Sequence, residues 1–449
     1  MILPPGPRSF FPGARIFKYR RDMLGYLTNL SREFGDAVSF TGGRRRFYLF
    51  NHPDAIRQVL VTHEDCFIKG PALRKAKDML GQGLLISEGK FHQRQRRLAQ
   101  PAFHPQRVAS YANAMTQFAT RMSDRWVDGQ TVDLHEQMMQ LTLAVVAKTL
   151  FDADVESDVE VIGKAMDISV GMFKRAMIPF GQLLNFLPLP SNFRFWKARR
   201  VLWGKIAEFI QQRRNSGVDR GDLLSMLLRA TDSEGDGSGM SDTQLRDECI
   251  TLFTAGHETT ANALTFTWYL LSQNPDVEKT MFEELQTVLQ GRVPTAEDVP
   301  KLPYMRAVLA ESMRLYPPAW GIGREVITEC EVGGYTLPPG AVVLVCPWVT
   351  HRDERFWPDA LRFDPQRWLG KIERPRYAYF PFGGGSRSCI GESFAWMEST
   401  LLMATLAQKW QAKVIESRPI VLQPTITLRP RFGVIACLIN REASRSTVM

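Results

Sequence analysis

A helix predicted between residues 241 and 274 sets the frame for the rest of the fold. It begins with Ser241 and Gln244, which have the spacing of a helix capping box. Apolar residues then recur at helical intervals, at Leu245, Leu252, Phe253, Leu264, Trp268 and Leu271. Asn274-Pro275 ends the pattern. About thirty residues at 1.5 Å each make a rod of roughly 45 Å, so the remaining elements must pack around a helix that crosses the whole domain.

The composition is that of an ordinary globular protein with a mildly basic surface. The chain has 449 residues, 44% hydrophobic and 23% charged, a length for which two or three domains are a fair expectation. Its formal net charge is +9, without a long block of lysines and arginines. It has no apolar window of the roughly 18 residues that a membrane span needs, and prolines interrupt its N-terminus. We therefore expect a cytoplasmic protein.

Shorter patterns predict the other elements. Residues 37–40 and 47–50 are typical of strands, and the pattern is mostly helical from about residue 105. The segment 232–239 predicts a flexible connector between two helices. Turn residues between β-rich runs predict a hairpin within 332–349. Tyr316-Pro317 predicts the end of the helix that contains Glu311.

One of the six cysteines, Cys389, has surroundings suited to chemistry. The glycines 383–385 permit a tight turn, and apolar residues at helical spacing follow Cys389. The N-terminus of a helix favours a thiolate, which can act as a nucleophile or as a metal ligand. The turn lacks the Lys-Ser/Thr pair of a P-loop and the GxSxG of a serine nucleophile elbow. A cysteine hydrolase with a distant histidine base remains open from these residues alone.

The turn and its cysteine resemble the haem-ligand signature of the cytochrome P450 family, FxxGxRxCxG. The matching residues are Phe382, Gly385, Arg387, Cys389 and Gly391. The resemblance implies that Cys389 binds the haem iron as a thiolate, that Arg387 holds a haem propionate and that Phe382 packs beside the thiolate. It also implies that the two glycines let the backbone approach the porphyrin.

The middle of the long helix carries a second motif of the same family. Ala255-Gly256-His257-Glu258-Thr259-Thr260 matches AGx[DE]T, the oxygen-binding kink of the family's central helix. A glycine inside a helix costs about 1 kcal/mol, so something should compensate for Gly256. The resemblance implies that Glu258 and Thr259 relay protons to bound oxygen, and that Ala255 and Gly256 leave space for it.

Two further sets of residues fit the family's pattern. Glu311 and Arg314 form an ExxR pair, and Arg367 stands where the third member of the family's structural triad is expected. The neighbours Asp364 and Gln366 replace a more usual glutamate.

His92 and Arg96 are one helical turn apart in a basic stretch, residues 91–104, which by itself reads as a solvated helix face. A nucleic-acid interface is disfavoured there, because interleaved aromatic residues are missing. The resemblance to the family implies that His92, Arg96 and Arg324 contact the haem propionates in this chain.

The order and separation of the motifs imply a mainly α cytochrome P450 fold. The expected architecture is a single domain, 1–449, with a large helical, haem-binding part and a long central helix over the haem. A smaller β-rich lobe is expected mostly from about 1–70 and 320–350, and residues 441–449 are expected to form a disordered tail.

The resemblance implies a monooxygenase that inserts one atom of O2 into a substrate, with haem b as cofactor. The chain ends about fifty residues after the helix that follows Cys389, so we expect no fused reductase. Electrons from NAD(P)H would arrive through a ferredoxin or flavodoxin with its reductase, steered by a basic face near Cys389. We also expect a monomer without a nucleic-acid partner or a membrane anchor. A haem-thiolate peroxygenase or isomerase and a haem-based sensor or carrier are the alternatives, and an intact Glu258-Thr259 pair argues against both.

The substrate is expected to be small and apolar, such as a fatty acid or a terpenoid. Residues 172–196 are rich in aromatic and aliphatic side chains and resemble in position the family's lid over the substrate channel, although core packing explains them equally well. Phe253, Ala319 and Ile426 are expected to line the pocket if the family's pattern holds.

Overall fold

The computed structural model describes residues 2–7, 21–42, 45–152, 187–232, 237–371, 373–415 and 420–441, with the single positions 163, 165, 168, 184 and 235. Helices predominate in these residues. The α-helices are α1 Met23–Phe34, α2 Pro53–Arg57, α3 Pro71–Arg74, α4 Lys77–Leu80, α5 Gly89–Ala99, α6 Pro105–Ser110, α7 Ala112–Arg125, α8 Leu134–Phe151, α9 Pro190–Ser216, α10 Leu223–Arg229, α11 Asp242–Gln273, α12 Pro275–Leu289, α13 Pro303–Leu315, α14 Pro347–Thr350 and α15 Glu392–Lys409.

The strands are short and form several small sheets. They are β1 Ala37–Gly42, β2 Arg45–Phe50, β3 Phe67–Lys69, β4 Thr131–Asp133, β5 Ile322–Val326, β6 Cys330–Val332, β7 Tyr335–Leu337, β8 Val342–Val345, β9 Trp410–Val414, β10 Leu422–Pro424, β11 Leu428–Pro430 and β12 Ile435–Asn440. The strand orders are β1-β2-β8-β5-β3, β4-β12-β9, β6-β7 and β10-β11.

The five-stranded sheet confirms the strands predicted at 37–40 and 47–50. In β1 and β2, Val38 lies opposite Leu49, and β2 continues in parallel register with β8, where Leu49 lies opposite Leu344. Its buried face includes Tyr48 and Phe50, which pack with α2. All five strands fall within the two stretches from which the sequence predicts a β-rich lobe.

The predicted hairpin within 332–349 is wrong in its extent. The hairpin is formed by β6 and β7, and Gly333 and Gly334 at its turn have φ of 58° and 79°. A two-residue turn of this kind joins strands directly, so the hairpin closes earlier than expected. The next strand, β8, instead pairs with β2 and β5, because its valines are buried between these neighbours. The sequence also failed to predict the sheets β4-β12-β9 and β10-β11.

The long helix is present as predicted. α11 has 32 residues, and its capping box is formed by reciprocal bonds of 3.3 and 2.8 Å between Ser241 and Gln244. The preceding segment joins α10 to α11, and α13 ends at Leu315, both as expected. α11 is buried along most of its length, unlike a surface helix, because other helices cover several of its sides.

The core lies on two sides of α11. One cluster joins α11 to α7, α8, α12, α13 and α15, through residues such as Leu264, Leu285 and Leu402. A second joins the first half of α11 to α8, α9 and α10, through residues such as Ile250 and Leu202. The motif at 255–260 therefore lies in the middle of the helical part, where its position is fixed by packing.

Two predictions fall at the edge of the described residues. Arg441, assigned to a disordered tail, is anchored instead: it donates to Glu278 Oε1 at 2.6 Å and to the Ala407 carbonyl at 3.0 Å. The prediction of disorder is thus wrong for Arg441, because a buried carboxylate and helix-end carbonyls bind its guanidinium. Residues 442–449 and most of the predicted lid at 172–196 lie outside the described residues.

Candidate active site

A cavity of about 1000 Å³ brings the two main motifs together. Ala255, Gly256, Glu258 and Thr259 of α11 form part of its wall, and Cys389 lies in the loop before α15 that forms another part. Apolar side chains supply most of the remaining lining, among them Leu80, Leu85, Leu150, Leu252, Ile322 and Phe394. A large apolar space with a few polar groups is typical of a small-molecule site.

The loop that carries Cys389 is folded back on itself and tied to the segment after α2. The Cys389 N–H donates to the Phe382 carbonyl at 2.9 Å. Ser386 donates to Glu64 Oε2 through its N–H at 3.1 Å and its hydroxyl at 2.8 Å. These bonds fix the direction in which the Cys389 side chain leaves the loop.

Glycine at 385 is required by this contact. Gly385 has φ of 69°, and a Cβ there would lie 2.0 Å from the Leu60 carbonyl oxygen. Gly385 does not line the cavity, unlike Gly391, so its need for glycine comes from the protein's own backbone. Phe382 lines the cavity and lies against Trp396, with ring centroids 5.8 Å apart.

The Cys389 thiol is accessible from the cavity although it lies deep within the protein. Burial raises its pKa to about 11, and the N–H of Gly391 opposes this only in part. The backbone N–H at the start of α15 favours the thiolate, in the direction that the sequence predicts, but desolvation has the larger effect on the pKa. A metal cation deprotonates a coordinating thiol outright, so this group is suited to metal binding rather than to free nucleophilic attack.

Cations gather beside the loop. Burial, then Arg387, lowers the pKa of Arg324 to about 10. Burial, then Arg387, also lowers the pKa of Lys69 to about 7, against the opposing effect of Glu88. All three cations line the cavity, and Arg387 donates to Glu88 and to the Ser87 carbonyl. Three basic groups in one place give this part of the cavity a positive potential, which suits an anionic ligand.

His92 and Arg96 lie near this cluster on α5. His92 is buried; its Nδ1 is 3.3 Å from the Ser87 hydroxyl, and its Nε2 has no hydrogen-bond partner among the described residues. Burial, then Lys69 and Arg387, lowers the pKa of His92 to about 3, so the ring is neutral. Arg96 donates to the Ser388 carbonyl at 2.7 Å, next to Cys389.

The α11 motif presents an acid and an alcohol to the cavity. The Thr259 hydroxyl donates to the Ala255 carbonyl at 2.7 Å, and Glu258 Oε1 accepts from the Thr427 hydroxyl at 2.6 Å. A Cβ at Gly256 would lie 3.2 Å from Val146 Cγ2 of α8. Close packing of α8 against α11 thus offsets the unfavourable helix propensity of this glycine.

The structure brings the predicted triad together. Glu311 accepts from Arg314 at 2.8 and 2.7 Å, and Arg367 Nε lies 3.3 Å from Glu311 Oε1. Glu311 also accepts from Trp368 Nε1 at 2.9 Å and from the Asp364 N–H at 3.0 Å. Because Glu311 and Arg314 are fully buried, this network fixes α13 to the segment that leads toward the cysteine loop.

The predicted pocket residues are found in different places. Ala319 and Ile426 line the cavity. Phe253 does not; it is 1% exposed and packs against Phe151, with ring centroids 5.9 Å apart. One residue along a helix rotates the side chain by about 100°, and Leu252 takes the place expected for Phe253.

Sequence reasoning missed Lys69, Glu88 and Thr427. Lys69 lies in the short apolar strand β3, and its Nζ donates to the Leu84 and Leu85 carbonyls at 2.8 and 2.6 Å. The sequence signal that could have indicated Lys69 as a site residue is a lysine within an apolar strand. Thr427 carries no local signal, because its contact with Glu258 spans 169 residues of chain.

These residues fit a haem. The cavity has the size for a haem and a substrate, an accessible thiol faces it, and the cations can bind two carboxylates. The buried Nε2 of His92, which no described residue hydrogen-bonds, supplies a further polar group for such a ligand.

Comparisons with known proteins agree with the geometry. The family model described as Cytochrome P450 matches residues 4–434. Cyclooctat-9-en-7-ol 5-monooxygenase from Streptomyces melanosporofaciens is 40% identical over 88% of this chain and 86% of its own length. Cyclooctatin synthase from the same organism is 41% identical over 91% and 89%. Pentalenene oxygenase from Streptomyces avermitilis is 35% identical over 90% of each chain.

The chain therefore belongs to the cytochrome P450 family, and the mainly α fold predicted for it is confirmed. It is a haem-dependent monooxygenase that uses O2 and electrons derived from a reductant. Among the described residues, the helices that are long enough to cross a bilayer are too polar to do so.

Proposed function

We propose that this monooxygenase hydroxylates or epoxidises a terpenoid-like substrate, with Cys389 as the thiolate ligand of a haem b. The observation that carries the proposal is the single cavity shared by Cys389 and the Glu258-Thr259 pair. The apolar lining supports an apolar substrate. The printed names of three relatives, which concern cyclooctat-9-en-7-ol, cyclooctatin and pentalenene, support a terpenoid over a fatty acid.

Residues around the cavity divide into groups by their chemistry. Arg387, Arg324 and Lys69 would bind the haem propionates by charge-assisted hydrogen bonds. His92 would do so through Nε2, which has no partner in the described part of the chain, and Arg96 supports the loop through Ser388. Glu311, Arg314 and Arg367 act at a distance, since they hold the elements that carry the loop.

When bound, the haem supplies the reduction and cleavage of O2, with the thiolate donating electron density to the iron. Glu258 and Thr259 supply protons from α11. Ala255 has a small side chain and Gly256 has none, so this part of the cavity wall leaves space for oxygen. Ala319, Ile426 and Leu252 orient the substrate and exclude water from it.

The electron donor would dock beside Arg96. A second hollow, of about 610 Å³, reaches Cys389 and is bordered by Arg96, Arg306 and Trp396. The Arg306 guanidinium lies 4.1 Å from the centre of the Trp396 ring. These cations suit an acidic carrier, and we propose a ferredoxin or flavodoxin that receives electrons from NAD(P)H through its reductase.

Residues 1–449 are proposed to form one domain, since both the β-rich lobe and the C-terminal strands contribute to a single cavity. The monomeric state and the cytoplasmic location expected from the sequence stay predictions.

The test is turnover with candidate substrates under isotopically labelled O2. The purified haem-loaded protein is combined with a ferredoxin, its reductase and NADPH, and offered pentalenene, cyclooctat-9-en-7-ol or palmitic acid. We expect one labelled oxygen atom in a terpenoid product and little product from palmitic acid. Preferential oxidation of palmitic acid would contradict the terpenoid assignment, and labelled product formed without NADPH would contradict the monooxygenase mechanism.

A further inference from the structure

The Glu258 carboxylate is held by a series of side chains that reaches a different helix. The Thr427 hydroxyl donates to Glu258 Oε1 at 2.6 Å, and Asn262 Nδ2 lies 3.4 Å from the Thr427 hydroxyl oxygen. Asn262 Oδ1 in turn lies 3.1 Å from His135 Nε2. Glu258 and Asn262 are one turn apart on α11, Thr427 is next to β11, and His135 is in the first turn of α8.

The donors in this series all point toward Glu258. The amide oxygen of Asn262 can only accept, so His135 Nε2 must carry a proton and donate it. The Asn262 amide nitrogen can only donate, so the Thr427 oxygen accepts from it. The Thr427 hydroxyl hydrogen is then available to Glu258, and a carboxylate accepts it most strongly when ionised.

The backbone around Thr427 is fixed independently of this series. Trp320 Nε1 donates to the Thr425 carbonyl at 3.0 Å, and the Leu428 N–H donates to the Pro318 carbonyl at 2.9 Å. The Thr425 hydroxyl donates to the Thr427 carbonyl at 3.0 Å. Ile426, between the two threonines, lines the cavity. The same short turn therefore contacts the space for the substrate and the acid of α11.

Charged and titratable groups around Glu258 support the same arrangement. Arg429 is two residues after Thr427 and so on the same face of the chain, and its Nη1 lies 3.7 Å from Glu258 Oε1. His257, the neighbour of Glu258 on α11, is buried, and burial lowers its pKa to about 3, so that it brings no positive charge. His135 lies 3.1 Å from Asn262 Oδ1 and so is linked to Glu258 through Asn262 and Thr427.

We propose that Thr427, held by Asn262 and His135, is a positioning residue for Glu258, and that its turn couples the seating of substrate against Ile426 to proton delivery by Glu258. This inference rests on the proposed function. It assigns to the β10–β11 turn a part in the reaction as well as in the shape of the pocket.

The consequence is a change in how electrons are divided between two outcomes. In productive turnover, O2, two electrons, two protons and the substrate R–H yield R–OH and water. In unproductive turnover, O2, two electrons and two protons yield hydrogen peroxide. Both outcomes consume two protons, so the division depends on which oxygen atom receives the second one. A misplaced Glu258 would deliver that proton less selectively, and a larger share of the electrons would end in peroxide.

The experiment compares Thr427→Val, which removes the hydroxyl and keeps the shape, with Thr427→Ser, which keeps the hydroxyl. Thr405→Val is the matched control, because that threonine is buried in α15 and its hydroxyl bonds only the Leu401 carbonyl at 2.7 Å among the described residues. The readouts in the haem-loaded proteins are the ratio of peroxide to product with cyclooctat-9-en-7-ol, and the infrared C–O stretch of the reduced carbon monoxide complex.

We expect Thr427→Val to raise the ratio about tenfold, in line with the loss of a hydrogen bond to a charged group, and to broaden or split the C–O band. Thr427→Ser and the control should resemble wild type in both readouts. The proposal is overturned if Val at 427 leaves both readouts unchanged, or if Ser and Val shift them equally, since the methyl group and not the hydroxyl would then matter. The C–O band needs no substrate. Failure of the proposed function would instead appear in the wild type, as the lack of NADPH-dependent product.

Discussion

Burial shifts the protonation of single residues in this protein away from their charged forms. Burial raises the pKa of the Cys389 thiol to about 11 and lowers that of Lys69 to about 7. Both groups line the same cavity. A bound metal would stabilise the Cys389 thiolate and bound carboxylates would stabilise the Lys69 ammonium, so both pKa shifts fit a site for a metal and an anionic ligand.

Glu398 provides a test of burial at the residue scale. It lies in α15 with its carboxyl fully buried near Thr260 of α11, and burial raises its pKa to about 8. Because its pKa in the folded protein exceeds that in the unfolded chain, its contribution to stability is complete below about pH 4.5 and is lost as pH rises toward 8.

We therefore predict that the free energy of unfolding of the wild type falls between about pH 5 and 8, by at most about 1.4 kcal/mol per pH unit on account of Glu398. The Glu398→Gln variant should lack this part of the fall. Urea unfolding of the haem-loaded protein and the variant at several pH values measures the difference. An equal pH dependence in the two proteins would show that Glu398 does not titrate as described.

The site residues that could be predicted from sequence are those in local motifs. Cys389, Arg387, Glu258 and Thr259 lie within short patterns, and the structure places all four on the cavity. Thr427 and Lys69 could not be found in this way, because their importance comes from contacts between distant parts of the chain. Phe253 was misplaced because a family position does not define which side of a helix a residue occupies.

At the scale of elements, α11 was predictable because its ends carry local signals. Its capping box and the Asn274-Pro275 stop do not depend on tertiary structure. The extent of the β6–β7 hairpin was not predictable, because β8 has equally β-rich residues and only the positions of β2 and β5 decide its partners. Short strands such as β4 likewise form only where a partner strand reaches them.

The contact between α13 and the segment that follows α14 gives a second prediction. Glu311 and Arg314 are both fully buried, so Glu311→Gln leaves a buried guanidinium without its carboxylate. We expect a loss of roughly 3–5 kcal/mol in the free energy of unfolding, measured by urea denaturation. Glu297→Gln, at an exposed position, is the control and should change stability by less than about 0.5 kcal/mol. A similarly small effect of Glu311→Gln would show that the triad does not fix these elements.

On the scale of the whole molecule, two hollows reach Cys389, and the proposed function gives each a separate role. The larger cavity, beside α11, would hold substrate and oxygen, and the smaller hollow, which is bordered by cations, would receive the electron donor. The sequence predicted a basic face near Cys389, but not Trp396 or Arg306 as its members, since these residues come together only in the folded chain.

Arg306 is the residue to change in a test of partner docking. Arg306→Glu reverses an exposed charge at the smaller hollow and should weaken binding of an acidic ferredoxin roughly tenfold at low salt. Titration calorimetry at two salt concentrations would measure this loss, which should shrink as salt rises. Arg125→Glu, at a position outside the hollow, is the control. Equal effects of the two variants would locate the docking surface elsewhere.

The central claim is that the Cys389 sulfur binds the haem iron, and the difference spectrum of the reduced protein with carbon monoxide measures this bond most directly. The account predicts a strongly red-shifted Soret band for the haem-loaded wild type and its disappearance in Cys389→Ser. A wild-type band at the position typical of histidine-ligated haem, or an unchanged red-shifted band in Cys389→Ser, would contradict it.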